Sequence, residues 1–274
     1  MLLELVLVWG GDGIERIHRK KIKVGELDIH YFTGGQGDPL VMIHGGGAGA
    51  DSWVQNIAEL SQNYSVYVPD LPGFGHSQTT DVDYGISEFV KFVEDFTCSL
   101  GLNRFHLVGH SIGGGIALHY ALKFPHKISK LVLVSSMFLG KGIALWIRVL
   151  SSCVFCRSLG IAVVTILKAI KCLVNLIYAP LKFANPLPRA KLNLGTVMTT
   201  FMEQATVLVN QLSELMVPTL LVWGNNDSIV PVSTAYDAAR LIPDCRLHVF
   251  DGCGHSVYKE KVKEFSHLLT MFLC

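Results

Sequence analysis

The sequence predicts an α/β fold, a mostly parallel sheet covered by helices on both faces and led in by an antiparallel hairpin. Three observations predict it. Six short segments are almost continuously apolar and end at or just before Gly, Pro, Asp or Ser, segments of helical period lie between them, and two polar-alternating segments precede them all. A strand covered on both faces needs apolar residues on both sides of its pleat, so it loses the alternation of a half-exposed strand.

In chain order, Ile14–Lys23 and Leu27–Phe32 alternate and join near Gly25 as the leading hairpin. Leu40–His44, Ser65–Asp70, Phe105–Gly109, Leu131–Ser135, Thr219–Gly224 and Leu247–Phe250 are the expected buried strands. Ser87–Leu100 sets Phe89, Phe92, Val93, Phe96 and Leu100 on one helical face, with Ser87 as the expected N-cap and Gly101 as the stop. Gly113–Phe124, Thr234–Leu241 and Lys259–Leu273 are the other expected helices. From Phe138 to Val217 the strand–helix rhythm breaks, and a stretch of that size reads as a helical module rather than a loop. The expected division is therefore a core of residues 1–137 and 218–274 with an inserted module over 138–217. Within the module, Arg157–Tyr178 is apolar almost all round, with Arg157, Thr165, Lys168, Lys171 and Asn175 on one narrow stripe. Its wide apolar face calls for a core, a lipid surface or a greasy ligand.

Composition narrows the function classes. The 23 basic residues nearly cancel the 22 acidic ones, which excludes the electrostatic footprint of a nucleic-acid binder. Only 16% of the 274 residues are charged and half are hydrophobic, against about 25% charged in an average chain. A mean hydropathy of +0.40 therefore points to extra buried apolar surface or to contact with lipid-like material. Seven cysteines, odd in number and without framework spacing, imply a reducing compartment and an expected cytoplasmic location. Cys153 and Cys156 read as small buried hydrophobes. The apolar start MLLELVLVWGG carries Glu4 and no basic region, so no signal peptide is expected there. No charge-free apolar run reaches the roughly 18 residues of a spanning helix.

The chemistry lies at strand ends. Gly109-His110-Ser111-Ile112-Gly113 follows one expected strand and opens the next helix, the context in which G-x-S-x-G presents a nucleophile. Serine needs a base. Of 11 histidines, His255 lies on a glycine-punctuated turn after the last strand, at the sheet edge that carries Ser111. His110 flanks the nucleophile, His119 lies inside the following helix, and His106 and His248 lie within strands, so a structural reading suits each. Asp227, after the strand TLLVWG, is the preferred carboxylate to orient His255, over Asp251 on the histidine's own connection. Oxyanion donors are expected from the N–H of Ile112 and from Gly46 or Gly47 in His44-Gly45-Gly46-Gly47. The chemistry needs no metal or organic cofactor.

HGGGAGADSW, PDLPGFGHS (Pro69–Ser77), GHSIGGGIAL, WGNNDSIVP and GCGHS occur in that order. Together they resemble the oxyanion loop, the loop after the fourth strand, the nucleophile elbow, the acid loop and the histidine loop of the α/β-hydrolase superfamily. The resemblance covers nearly the whole chain and implies an eight-stranded, mostly parallel sheet with a helical cap inserted after the sixth strand, matching 138–217. Dehalogenases and epoxide hydrolases of that superfamily carry aspartate where Ser111 stands. Carbon–carbon bond hydrolases of meta-ring-cleavage products share a similar HGGG loop, but typically carry Asn at the position of His110 and Trp at that of Ser256. The resemblance therefore implies a carboxylesterase- or lipase-like serine hydrolase, with C–C bond hydrolysis as the alternative. An apolar cap with few polar handles predicts a small lipophilic ester, medium-chain or lipid-like, as substrate. Peripheral membrane contact through the cap is the alternative use of Arg157–Tyr178.

Overall fold

The computed structural model describes residues 4–10, 13–78, 84–140 and 208–274. Nine strands occur among them: β1 Glu4–Gly10, β2 Gly13–Val24, β3 Leu27–Gly34, β4 Asp38–Ile43, β5 Tyr64–Pro69, β6 Phe105–His110, β7 Ile128–Val134, β8 Thr219–Gly224 and β9 Cys245–Phe250. They form one sheet in the order β1-β2-β3-β5-β4-β6-β7-β8-β9. The first three pairings are antiparallel and the remaining five parallel. The eight expected strands are all present. The ninth, β1, extends the hairpin edge by pairing Glu4–Gly10 against Gly13–Arg19.

The parallel strands alternate between two cores. Val41, Ile43, Leu107, Leu131, Leu133, Leu221 and Trp223 face one side, while Leu40, Met42, Val108, Val132, Val134, Leu220 and Val222 face the other. Both sides are dry, which is why these segments read as continuous apolar runs. Helices α2 (Ile86–Ser99), α3 (Ile112–Lys123) and α4 (Ser233–Leu241) cover the first face. Helices α1 (Val54–Leu60), α5 (Val257–Glu260) and α6 (Val262–Leu273) cover the second.

Two helix expectations are corrected, and one helix is added. The N-cap of α2 is Gly85, whose N–H donates to the Glu88 side chain at 3.0 Å, and Ser87 instead donates to the same carboxylate. The closing helix is two, broken at Lys261, whose backbone (φ −132, ψ 55) is not helical. The short α1, preceded by the 3-10 turn Ala50–Trp53, was not expected. Gly101 ends α2 as anticipated, at φ 71, and Leu102 N–H reaches back to the Thr97 carbonyl at 2.9 Å.

Most of the module 138–217, the helix Arg157–Tyr178 and the pair Cys153/Cys156 lie outside the described residues. Among the described residues, no helix is long and apolar enough to cross a membrane.

Candidate active site

From β4 the chain passes to β5 on one side and then returns to β6 on the other. Loops leaving the carboxyl ends of β4 and β6 therefore part and leave a crevice, the usual ligand position of an open α/β sheet. Ser111 lies there, between β6 and α3, with φ 55 and ψ −117. A non-glycine residue so placed stores about 1–3 kcal/mol of strain and persists only where its surroundings over-determine it. They do: Ser111 N–H donates to the Val134 carbonyl at 2.9 Å, and its own carbonyl accepts from Gly115 and Met137, each at 3.1 Å. A Cβ on Gly109 would stand 2.2 Å from the Gly113 carbonyl oxygen, and one on Gly113 2.5 Å from that of His44. Strand and helix can meet so closely only if both positions lack side chains. Ile112, the first residue of α3, contributes one of the helix-start N–H groups that lack an intrahelical acceptor.

The loop after β4 packs against this turn. A Cβ on Gly45 would come within 3.2 Å of the Ser111 Cβ. Gly46 and Gly47 are exposed at the tip of a turn closed by Ala48 N–H on the Gly45 carbonyl at 3.3 Å, with Gly47 at φ 75. Two side chains that sequence reasoning missed hold the loop. Buried His44 donates from Nδ1 to the Gly45 carbonyl (2.9 Å) and accepts the Leu71 N–H at Nε2 (3.0 Å). Burial keeps it neutral by pushing its pKa down. Asp70, 2% exposed, accepts the Ala50 N–H at 2.6 Å and the His76 N–H at 2.9 Å, tying the β4 loop to the β5 loop. The available signal was the carboxylate itself, placed at the end of an apolar strand where it must find donors.

Asp227 follows β8 and His255 follows β9, the strand beside it. The structure brings the two together: His255 Nδ1–H donates to Asp227 Oδ2 at 2.8 Å, which makes Nε2 the ring nitrogen with the free lone pair. The other carboxylate oxygen accepts the N–H groups of Ile229 and Val230, both at 2.9 Å. The Asp227 side chain is fully buried. Burial alone would raise its pKa, but His255 and the two backbone donors outweigh that and hold it below the ordinary carboxylate value. Its rival Asp251 instead accepts from Asn225 on the exposed rim, at 3.0 Å.

His110 is buried, with Nε2–H donating to the His255 main-chain carbonyl at 2.9 Å. Its ring centroid lies 4.8 Å from that of His255 and 4.8 Å from that of Tyr258. Burial first, and the neighbouring His255 second, push its pKa down to about 3, so it stays neutral. Among the described residues, no group of three or more His, Cys, Asp or Glu side chains could hold a metal ion.

A tight Ser turn, a glycine loop packed on it and a buried Asp–His pair at neighbouring strand ends are an arrangement that can support nucleophilic acyl chemistry. The chain is 29% identical to a 2-hydroxy-6-oxo-6-phenylhexa-2,4-dienoate hydrolase of Comamonas testosteroni, over 93% of this chain and 96% of that one. Among solved structures it resembles a bacterial membrane phospholipase A (26% identity, TM-score 0.73, 94% of this chain and 86% of that one). It also resembles a putative lipase of Acinetobacter baumannii (25%, TM-score 0.69, 94% and 91%). The profile of the alpha/beta hydrolase fold family matches residues 38–148 and 184–262, a span that takes in Ser111, Asp227, His255 and the glycine loop. On strand order, serine turn and sequence match alike, this chain belongs to the alpha/beta hydrolase fold family.

Proposed function

We propose that the protein is a serine hydrolase that cleaves carboxylic esters of apolar, medium-chain or lipid-like substrates through an acyl-enzyme. The observation that carries this reading is the Asp227–His255 bond, 2.8 Å long with the carboxylate fully buried. In this reading Ser111 Oγ attacks the ester carbonyl while His255 Nε2 takes its proton. Asp227 fixes the tautomer and stabilises the imidazolium. The N–H of Ile112 and that of Gly46 or Gly47 receive the oxyanion. His255 then protonates the departing alcohol and, in the second half-reaction, activates the water that releases the acid. The apolar composition of the segment 138–217 supports a lipophilic substrate. The likeness to the phospholipase and the lipase supports an ester substrate.

A second reading has its own support. The Comamonas testosteroni relative is a dienoate hydrolase, so the same three side chains would serve carbon–carbon bond hydrolysis here. His110 before the serine and Ser256 after the histidine favour the ester. The test is a p-nitrophenyl ester series from acetyl to octanoyl beside a ring-cleavage dienoate, with Ser111→Ala as control. Hexanoyl or octanoyl esters should be preferred, and the serine variant should be inactive. A preference for acetyl would refute the lipophilic pocket, a higher kcat/KM on the dienoate would establish the second reading, and turnover by Ser111→Ala would refute both.

A further inference from the structure

We propose that His110 is a positioning residue for the base: its Nε2–H anchors the main chain of His255 and so fixes where the His255 ring stands relative to Ser111. The inference rests on Ser111, Asp227 and His255 acting as proposed above. His255 is held at two points from two different strands. Its ring is tied through Nδ1 to Asp227 after β8, and its backbone carbonyl is tied to His110 at the end of β6, one residue before the serine. The second tie makes the elbow itself the reference point for the base. A shift of the elbow then carries the histidine main chain with it, and the separation of the two reacting groups is conserved.

The His110 environment suits that task. The ring is 5% exposed and lies among the rings of Trp53, Tyr258 and His255, at 6.4, 4.8 and 4.8 Å. The Trp53 and Tyr258 rings are themselves stacked at 3.9 Å. On its other edge, Nδ1 is buried without a hydrogen-bond partner among the described residues, and a Cβ on Gly45 would lie 2.7 Å from it. A buried nitrogen without a partner costs stability that an apolar ring of the same size would not. Packing alone therefore favours phenylalanine at this position, whereas the donor at Nε2 requires a nitrogen. Glutamine places its amide nitrogen near the Nε2 position, while asparagine is too short to reach it.

The test compares His110→Gln, His110→Phe and His110→Asn with wild type on the best p-nitrophenyl ester. Labelling of wild type and Ser111→Ala by a fluorophosphonate provides the control. If wild type fails to label, the nucleophile assignment is at fault and not the role of His110. With labelling established, His110→Gln should keep kcat within about threefold, as expected where the hydrogen bond is retained. His110→Phe and His110→Asn should each lose about 10- to 100-fold in kcat with KM within about twofold, since a displaced base slows chemistry without weakening binding. The low-field proton resonance of the His255–Asp227 bond should persist in the glutamine variant and broaden or shift in the other two. Wild-type kcat in a folded phenylalanine or asparagine variant would overturn the proposal. So would an equal loss in all three, which would make packing the role of His110. If the phenylalanine variant does not fold, the glutamine–asparagine contrast decides alone.

Discussion

Replacing Asp227 by asparagine tests the base–acid pair most directly. One carboxylate oxygen of Asp227 accepts two backbone N–H groups at 2.9 Å, from Ile229 and Val230. The amide oxygen of an asparagine must take that side, because an NH2 there would face two donors. The NH2 is then forced toward His255 Nδ1, 2.8 Å away, where two donors cannot meet. The ring answers by moving its proton to Nε2, the atom that should take the serine proton. The imidazolium also loses its buried counter-charge, and a hydrogen bond to a charged group is worth about 1.5–3 kcal/mol. The combined loss should be about 10³- to 10⁴-fold in kcat, or about 4–5.5 kcal/mol at 1.36 kcal/mol per decade. KM should change little, since the pair acts on the transition state. The shape and the three hydrogen bonds are retained, so thermal stability near pH 7 should stay within about 1 kcal/mol of wild type. The assay is steady-state hydrolysis of the preferred ester together with a melting curve. A folded variant retaining kcat within tenfold of wild type would show that Asp227 does not set the tautomer of His255.

Other outcomes follow from the same geometry. Gly113→Ala puts a Cβ 2.5 and 2.6 Å from the backbone oxygens of His44 and Ile43; separating α3 from β4 should lower Tm by about 5–10 °C, and an unchanged melting curve would contradict the packing described. Asp70→Asn leaves the N–H of either Ala50 or His76 facing an NH2 group, so stability should fall by about 1–3 kcal/mol, read by urea denaturation, with a lower kcat from a loosened glycine loop. Acid stability should depend on His110, which refuses a proton down to about pH 3 in the fold but accepts one near pH 6.5 when unfolded. The unfolded chain then binds more protons throughout that interval, so no penalty exists above pH 6.5 and stability falls as pH drops toward 3. His110→Gln should flatten this slope in a urea titration repeated across pH; an unchanged slope would refute the assignment. Asp227, with its lowered pKa, adds stability that is present above about pH 4 and lost below it as the carboxylate protonates.

The parallel strands were legible because burial on both faces leaves a composition no other short element has. Leu40, Val41, Met42 and Ile43 are all fully buried, and four successive apolar residues announce that. As candidates, Ser111, Asp227 and His255 were legible because a glycine pattern or a strand end marks each. Less visible was whatever depends on a side chain reaching across the fold. Gly85 caps α2 only because Glu88 turns back to its N–H, and nothing in Ser87 reveals that it does not. The break at Lys261 was hidden because Tyr258, Phe265, Leu269 and Phe272 are all buried at helical spacing, and periodicity reports side-chain placement without detecting a backbone interruption. His44, Asp70 and the tie from His110 to His255 join loops remote in sequence, so no local pattern records them. β1 was read for leader features, and only its pairing with β2 identifies it as a strand.

The order of the strands also bears on when the protein can become active. β7 ends at Val134 and its parallel neighbour β8 begins at Thr219, while His110 meets a carbonyl 145 residues further along the chain. Closing such a long loop adds only slowly to the entropic barrier, but contacts this remote form late in a folding reaction. A nascent chain that has completed β7 already displays its serine turn, yet holds neither Asp227 nor His255, the partners that the proposed mechanism requires. Under the proposed mechanism, recovery of esterase activity on refolding should therefore trail the recovery of helical signal, and a chain synthesised from the N-terminus should gain activity only when the last two strands have joined the sheet.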